Sequence, residues 1–371
     1  MNAKLDKNEL NRYDRQLRLP ELGIQGQGLL KQSSVLVIGA GGLGCPVLTY
    51  LAASGVGKIG VIDSDRVILS NLQRQVLFSE DDIDKNKAQA AVASLEKLNS
   101  AVIYESICQR FSADNASEIV AGYDLIIDCS DNFETRYLVN DVCVINSKPF
   151  IFGAIFKFEG QVAVFNYADV SGKRGPTYRC LFPEIPDPKL APSCDEIGVL
   201  GVLPGIVGTL MATEAIKCLA KIGEPLSGYL LSINALTAEF KKTKINRTAE
   251  AEEKKSIRKE SFMCSKDAAI TAKELVEKIT QGEVIQIIDV REKSEYEIAH
   301  IGGELMPLKE LDGHVAKIAR DRLVVVHCHH GVRSQRAIDY LSERHGFTNL
   351  VNLSGGIDAW SIAVDPKVAR Y

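Results

Sequence analysis

Apolar and polar positions in this chain come in blocks rather than in strict alternation. Between residues 34 and 65 an unbroken apolar run (VLVIG) leads into a glycine cluster. A mostly apolar stretch (CPVLTYLAAS) follows, and then a second apolar run (KIGVIDSD). Short continuous apolar runs are the signature of strands buried on both faces, and the stretch between them is long enough for a crossover helix. The pattern predicts a βαβ unit, hence a parallel sheet with a right-handed crossover. A helix over about 85–98, strands at 101–105 and 124–129, and further apolar runs at 150–155 and 161–165 extend that sheet.

From residue 169 to 198 the regularity stops. Five of the chain's 12 prolines fall there: Pro176, Pro183, Pro186, Pro188 and Pro192. Aperiodic segments of this length inside a compact domain are usually functional, so an active-site crossover or binding loop is expected. Residues 241–261 (KKTKINRTAEAEEKKSIRKES) are almost wholly polar and read as a solvated linker. A second, smaller α/β pattern follows. It has a helix near 271–280, a strand ending at Asp289, a strand at 323–327, a helix over about 334–344 and a short strand near Leu350. About 105 residues suffice for an independent domain. The expected organisation is a first domain over 1–245, a charged linker over 246–265 and a second domain over 266–371.

Composition mainly excludes. With 46% hydrophobic and 25% charged residues, the 371-residue chain has the make-up of a soluble protein of two or three domains. A formal net charge of −4 offers no electrostatic case for nucleic acid or an acidic membrane as partner. The first ten residues lack an apolar signal segment. The charge-free run 35–57 is divided by Gly39, Gly41, Gly42, Gly44, Gly55 and Gly57, so neither export nor a membrane span is expected. Nine scattered cysteines fit a reducing cytoplasm with some working thiols.

Gly39, Gly41, Gly42 and Gly44 lie in the turn between the first strand and helix. Glycines there permit a tight turn and bring backbone up to a pyrophosphate, whose charge then faces a helix N-terminus. Asp63, at the end of the next strand, is placed to accept hydrogen bonds from a ribose. By itself this fingerprint fits a nicotinamide dehydrogenase as well as an ATP enzyme. The residues that follow shift the balance. Ser70, Asn71, Leu72, Gln73 and Arg74 bring amide and guanidinium donors, Lys87 a point charge, and Arg15 lies in the basic segment RYDRQLRL. Asp131 and Asn132 follow a strand's C-terminal end, the edge at which open α/β sheets bind ligands. Cations beside a free carboxylate suit phosphate chemistry, with the carboxylate holding Mg2+; hydride transfer requires no such cluster.

Taken together, RYDRQLRLPELG, VLVIGAGGLGCPVLTYLAASGVGKIGVIDSDRVILSNLQRQ, DCSDN, GAIFKFEGQVAVF and SCDEIGVLGVLPGIVGTLMATEAIK resemble the MoeB/ThiF (HesA) family. These are adenylyltransferases, bacterial relatives of the ubiquitin-activating enzymes, and the resemblance covers roughly residues 10–240. It implies a Rossmann-like, mainly parallel α/β domain that binds ATP through Gly42, Asp63, Ser70 to Arg74, Lys87, Asp131 and Asn132, with Asp131 on magnesium. It implies also that Arg15 reaches the nucleotide of a neighbouring subunit, hence a homodimer. The family often holds a structural zinc between two CxxC pairs. Here Thr177 stands where the first cysteine of TYRC would be, leaving Cys180. No CxxC follows near Arg247, where Cys264 is the one cysteine in the vicinity. A structural zinc needs four good ligands, so none is expected. Cys194 matches the cysteine that links covalently to the carrier in relatives, although Asp195 and Glu196 beside it oppose a strongly activated thiolate. Cys129 and Cys143, in apolar runs, are expected to be inert packing.

The second domain holds the sharper cysteine. Cys328 ends a predicted strand and is followed by HHGVRS and a helix. A loop closing on a helix N-terminus aims backbone N–H groups at the sulfur, which favours a thiolate and stabilises a persulfide anion; Arg333 adds positive charge. A zinc site of His327, Cys328, His329 and His330 is disfavoured, because four consecutive residues cannot converge on one tetrahedral ion. This loop, with IIDVRE (Asp289, Arg291), EYEIAHI and LSGGIDAW, resembles the rhodanese domain across about residues 270–362. Four residues separate Cys328 from Arg333, the sulfurtransferase spacing, where related phosphatases carry one more.

The two resemblances imply ATP-dependent adenylation of the C-terminal glycine of a ubiquitin-like sulfur-carrier protein ending in Gly-Gly. A Cys328 persulfide, loaded by a cysteine desulfurase or other donor, would then convert the adenylate to a thiocarboxylate. Carriers for molybdopterin, thiazole, cysteine or tRNA thiolation end alike, and no residue here chooses among them. Two other readings stay open at this point. One is a ubiquitin-type enzyme forming a thioester at Cys194, which leaves the second domain unexplained. The other is an NAD-dependent oxidoreductase using the glycine turn and Asp63.

Overall fold

A computed structural model describes residues 4–184, 198–248 and 269–370. The chain forms two compact units, Met1–Lys259 and Glu260–Tyr371.

The strands of the first unit are β1 (Ser34–Ile38), β2 (Lys58–Ile62), β3 (Ile103–Ile107), β4 (Leu125–Asp128), β5 (Phe150–Phe156), β6 (Glu159–Phe165), β7 (Tyr229–Asn234) and β8 (Glu239–Lys244). They form one sheet in the order β3-β2-β1-β4-β5-β6-β7-β8. β1 to β5 pair in parallel, and β5 to β8 continue as an antiparallel meander. From β1 the chain moves to one side (β2, β3) and returns on the other (β4, β5). The strand order therefore reverses between β1 and β4, which leaves a crevice at their C-terminal ends. Val35, Leu36, Val37, Ile126 and Ile127 are fully buried, as a sheet covered on both faces requires.

The charge-free run 35–57 is divided between β1, the glycine turn and the helix Gly44–Ser54, which ends at Gly55 in the left-handed conformation (φ +80°). Helix Leu203–Ala220 is long and apolar enough by composition to cross a membrane, yet it packs against β5, β6 and helix Gly44–Ser54. A helix apolar nearly all round is a core helix wherever neighbours cover it.

The reading of 241–261 as linker is corrected at its start. Lys241, Lys242 and Lys244 belong to β8, the edge strand, whose residues are all exposed but whose backbone pairs with β7 from Tyr229↔Lys244 to Asn234↔Glu239. Lysines suit such an edge, since they deter pairing with another chain and their stems cover apolar surface. The ammonium of Lys242 lies 4.0 Å from the centre of the Tyr229 ring.

In the second unit β9 (Ala269–Ile270), β10 (Gln286–Asp289), β11 (Glu304–Leu305), β12 (Val324–His327) and β13 (Leu350–Leu353) form an all-parallel sheet ordered β11-β10-β12-β13-β9. Thr271 starts helix Ala272–Thr280 with a capping box closed by Glu274. β12 is central and wholly buried, and helix Val332–His345 begins just beyond its C-terminal end.

Candidate active sites

The glycine turn sits in the crevice between β1 and β4. Gly39 adopts φ +93°, and a Cβ on Gly44 would lie 2.1 Å from the Gly39 carbonyl oxygen, so the turn excludes a side chain at both ends. Asp63 joins the turn to β2: its Oδ2 accepts from Ala40 N–H at 2.8 Å and its Oδ1 from Asp65 N–H at 2.8 Å. Burial raises the Asp63 carboxyl above its ordinary value, and Lys87 together with those two N–H donors pulls the other way. A carboxylate has about four lone-pair sites, so Asp63 keeps acceptor capacity for a ribose.

Lys87, buried at the first turn of helix Lys87–Leu98, pairs with exposed Asp65 at 3.1 Å. Arg74 passes close over the turn, where a Cβ on Gly42 would lie 3.6 Å from its Cγ; its guanidinium donates to the Ser70 carbonyl at 3.3 Å. Asn71 is buried, and Gln73 is exposed beside Gly201.

On the other flank, the two carboxylates of DCSDN part company. Asp128 turns into the core, where its Oδ1 accepts from Ser130 N–H (3.0 Å) and Ser130 O–H (2.6 Å). Burial raises its carboxyl, against the Arg136 guanidinium. Asp131 faces solvent, with Asn132 Nδ2 at 3.4 Å, and Asn132 caps helix Phe133–Ile145 by accepting from Thr135 N–H at 2.9 Å. Asp63 and Arg74 thus meet the glycine turn, Lys87 lies near enough to Asp63 to act on its carboxyl, and Asp131 follows Cys129 and Ser130, whose backbone lies against Gly39, although the four are far apart in sequence.

Arg15 is not among them. It is exposed on helix Asp14–Leu17, in an arm docked at the opposite end of helix Gly44–Ser54. There Tyr13 packs on Gly55, and Gln16 donates to the Ser54 carbonyl at 3.3 Å. An 11-residue helix is about 16 Å long, so Arg15 is remote from its own chain's turn. Cys194 lies outside the described residues, as does Cys264. Cys129 and Cys143 are buried, and burial holds both thiols well above their ordinary value.

Where the family's zinc would be expected, Cys180 is surrounded by donors instead. Its sulfur lies 3.3 Å from Thr177 N, 3.5 Å from Thr177 Oγ1, 3.5 Å from Thr248 N and 3.8 Å from Thr248 Oγ1. Burial pushes this thiol up, but the hydrogen bonds outweigh it and hold it below the ordinary value. Arg247 donates to the Gly175 carbonyl at 2.6 Å in the same region. Among the described residues there is no group of three or more His, Cys, Asp or Glu that could hold a metal ion.

In the second unit, Cys328 follows β12 and is buried. Gly331, at φ +98°, swings its N–H to 3.1 Å from the Cys328 sulfur and opens helix Val332–His345. The turn Gly355-Gly356 presses against this loop: a Cβ on Gly356 would lie 2.4 Å from the Cys328 carbonyl oxygen, and Ile357 N–H donates to that oxygen at 2.9 Å. That contact is the physical content of LSGGIDAW. The cation expected from Arg333 is matched by a carboxylate, since its Nη1 and Nη2 each donate to Glu295 at 2.6 Å. Burial raises Glu295, but the Arg333 fork and the Glu292 N–H outweigh it and hold the carboxyl below its usual range.

Beneath the loop, Asp289 and Arg291 form a fully buried pair, with Arg291 Nη2 also donating to the Ala299 carbonyl at 2.7 Å. His327 is fully buried, its Nε2 3.7 Å from Asp289, and burial keeps it below the imidazole range and neutral. His329 and His330 stack with centroids 4.2 Å apart; burial, then the neighbouring His330, lowers His329 to about 4.

Sequence reasoning missed the partners of the loop: Glu295, and above all Asn352 on β13. Asn352 reaches Ser334, Gly331 and Gln335. A polar residue inside the otherwise apolar LVNL was the available signal.

Comparison with known proteins finds relatives for both units. A sulfur carrier protein adenylyltransferase of Thermus thermophilus is 54% identical over 65% of this chain and 89% of its own length. A probable adenylyltransferase/sulfurtransferase MoeZ of Mycobacterium tuberculosis is 40% identical over 100% of this chain and 97% of its own. The adenylyltransferase and sulfurtransferase MOCS3 of Xenopus laevis is 36% identical over 99% and 89%. A crystal structure of E. coli MccB with ATP superposes with a TM-score of 0.57 at 29% identity, over 64% of this chain and 73% of that one. With the ThiF family profile matching residues 13–255 and the rhodanese-like domain profile residues 271–363, the chain belongs to the ThiF family and carries a rhodanese-like domain behind the adenylation unit.

Proposed function

We propose that this enzyme, an adenylyltransferase with sulfurtransferase activity, activates the C-terminal glycine of a ubiquitin-like sulfur carrier with ATP and replaces the activating group with sulfur held on Cys328. The observation that supports the reading is that Asp63 and Arg74 meet a glycine turn at the switch point of the sheet, with Lys87 acting on Asp63 and exposed Asp131 following the adjacent strand end. The turn backbone at Gly39, Gly41, Gly42 and Gly44 faces the phosphates, Asp63 accepts from the ribose hydroxyls, and Ser70 to Gln73 and Asn132 line the same crevice. Lys87 and Arg74 stabilise the charge that develops as the carrier's carboxylate oxygen bonds to the α-phosphorus and pyrophosphate leaves. Mg2+ would be held by Asp131, an exposed hard oxygen donor, and would there neutralise phosphate charge. A dehydrogenase would have no use for these cations.

Arg15, remote from its own turn, serves the nucleotide of a second copy, so the working form is a homodimer. In the second unit a cysteine desulfurase or another persulfide donor loads Cys328. The outer sulfur of the persulfide attacks the acyl carbon and AMP departs, leaving an acyl disulfide on Cys328. Cleavage of that disulfide by Cys194 or an external thiol frees the thiocarboxylate and leaves a disulfide to be reduced by a further thiol. Seven cysteines among the described residues are free, consistent with work in a reducing cytoplasm.

The test is intact-mass analysis of a Gly-Gly-ending carrier incubated with the full chain, ATP-Mg2+ and thiosulfate. A gain of one sulfur for one oxygen, lost in Cys328→Ala, is the expected result. Carrier-dependent ATP consumption without sulfur gain would favour a thioester at Cys194, and no carrier-dependent turnover would remove the activation reading.

A further inference from the structure

Three arginine–carboxylate pairs bound the Cys328 loop. Asp289 and Arg291 lie beneath it, Glu295 holds Arg333 at the start of the helix that follows, and Asp358 pairs with Arg370 at 2.7 Å. Asp358 N–H also donates to the His329 carbonyl at 3.2 Å, so the third pair sits against the loop itself. The Glu295 and Asp358 carboxylates both act on the His329 imidazole, which burial keeps neutral all the same. Of the three cations, Arg333 is the one in the first turn of helix Val332–His345, whose cap residue Gly331 donates to the Cys328 sulfur. Its two terminal nitrogens each lie 2.6 Å from a Glu295 oxygen, a bidentate fork of the stronger kind. The two side chains are 13% and 21% exposed, so water and salt screen this pair less than one on open surface. Glu295 is itself anchored: at the third position of helix Lys293–Ile298, its Oε2 accepts from Glu292 N–H at 3.1 Å. A donor that needs the Arg333 guanidinium must take it from a carboxylate already fixed in place.

We propose that Glu295 is a specificity-determining residue for loading: by holding Arg333 in a bidentate pair it denies the loop's cation to a doubly charged donor such as thiosulfate, and so favours a thiol persulfide. The proposal rests on the reading of Cys328 as the sulfur carrier. Sulfane donors divide by where their charge lies. With thiosulfate, Cys328–SH + thiosulfate → Cys328–S–SH + sulfite, dianion for dianion, and the group that needs a cation is the one that departs. With a thiol persulfide, Cys328–SH + R–S–SH → Cys328–S–SH + R–SH, and the sulfur group carries at most one charge, on the atom that is passed on. In both, the bond from Cys328 Sγ to the outer sulfur forms as the donor's S–S bond breaks. The bonding pair leaves with sulfite or with the thiol, so no outside oxidant is needed. Selectivity here comes from a carboxylate that opposes the wrong donor rather than from a contact that attracts the right one. Thiosulfate is then a slower donor, not an excluded one.

The test measures loading of the full chain by thiosulfate and by cysteine persulfide, read after rapid quenching as sulfane sulfur on the Cys328 peptide by mass spectrometry. Glu295→Gln keeps an acceptor for the Glu292 N–H, since glutamine also closes a capping box, but releases Arg333 from its ionic partner. Its loading rate at a given thiosulfate concentration should rise about tenfold, the size of one charge-assisted hydrogen bond, while the rate with cysteine persulfide stays within about twofold. Thiosulfate loading in this variant should also fall more steeply with ionic strength than in the wild type. The double variant Glu295→Gln, Arg333→Met has neither charge and should return to the wild-type preference between donors. A gain undiminished in the double variant overturns the proposal, because the effect would not pass through Arg333. A selective loss of thiosulfate loading there overturns it too, since Arg333 would already serve the dianion in the wild type. If Glu295→Gln does not fold, the double variant decides alone. The underlying reading fails differently: no sulfane sulfur on the Cys328 peptide with either donor removes Cys328 as carrier. Loading by both donors, with the preference unmoved in Glu295→Gln, removes only the role of Glu295.

Discussion

In both units the candidate site lies at the same architectural spot, the turn between a buried parallel strand and the helix that follows it, yet the charges around that spot are matched differently. After β1, Arg74 passes over the glycine turn, Lys87 is buried and paired with exposed Asp65, and Asp131 is exposed beyond the end of β4. After β12, the charges near the turn are matched in pairs, Asp289 with Arg291 and Glu295 with Arg333, and the sulfur meets one backbone N–H and a serine. Helix N-termini and turn N–H groups suit anions in both places. What differs is how the side-chain charge is matched: Lys87 pairs with an exposed carboxylate and Arg74 with a backbone carbonyl, whereas Arg291 pairs with a fully buried carboxylate and Arg333 with a partly buried one. A triphosphate needs cations that respond to it, while a transferable sulfur is soft and carries at most one charge. Pairing the nearby ions leaves a backbone N–H and neutral groups in contact with the sulfur.

The comparison breaks first at Cys328. Cys328→Ala should abolish thiocarboxylate formation while carrier-dependent ATP–pyrophosphate exchange persists; loss of both would mean that the two units are not chemically separable. Next is Lys87→Ala, expected to lower pyrophosphate exchange by about 100-fold, the usual size for losing one charge that stabilises a transition state. Thiosulfate sulfurtransferase activity should be unchanged in that variant, and an equal loss there would point to damaged folding.

In the second unit the corresponding change costs stability instead. Asp289→Asn leaves Arg291 buried and unmatched, which should destabilise the second unit by about 3 kcal/mol. Calorimetry should then show one transition moved and the other in place; two shifted transitions would contradict the independence of the units.

The smallest effect concerns pH. His329 titrates at about 4 in the fold against 6.5 ordinarily. The unfolded chain therefore binds the extra proton through that window, and stability falls as pH drops from about 6.5 towards about 4. His329→Asn should flatten this part of the second unit's unfolding profile, and an unchanged slope would assign the dependence to other groups such as His327.

Much of this was legible before any coordinates. The apolar runs around 34–65 fold as β1, the helix Gly44–Ser54 and β2 because a strand covered on both faces must be apolar throughout. The glycine turn, Asp63 and the Cys328 loop were readable because each is a local device, in which neighbouring residues and a helix N-terminus do the work. Lys241 to Lys244 misled, because an edge strand's stability lies in backbone pairing with β7 and its side chains look like those of a linker.

The sequence by itself therefore determined the two α/β patterns, their order, the phosphate-type turn and the spacing of the sulfur loop. Short-range patterns carry that information through periodicity, glycine and helix ends. Tertiary structure alone decided which of Asp128 and Asp131 is buried, that Arg15 stands away from its own chain's glycine turn, that Glu295 matches Arg333, and that Asn352 accepts a hydrogen bond from Ser334. Each of these depends on where strands and helices distant in sequence come to lie. Burial and hydrogen-bond direction belong to that assembled environment rather than to any residue within it.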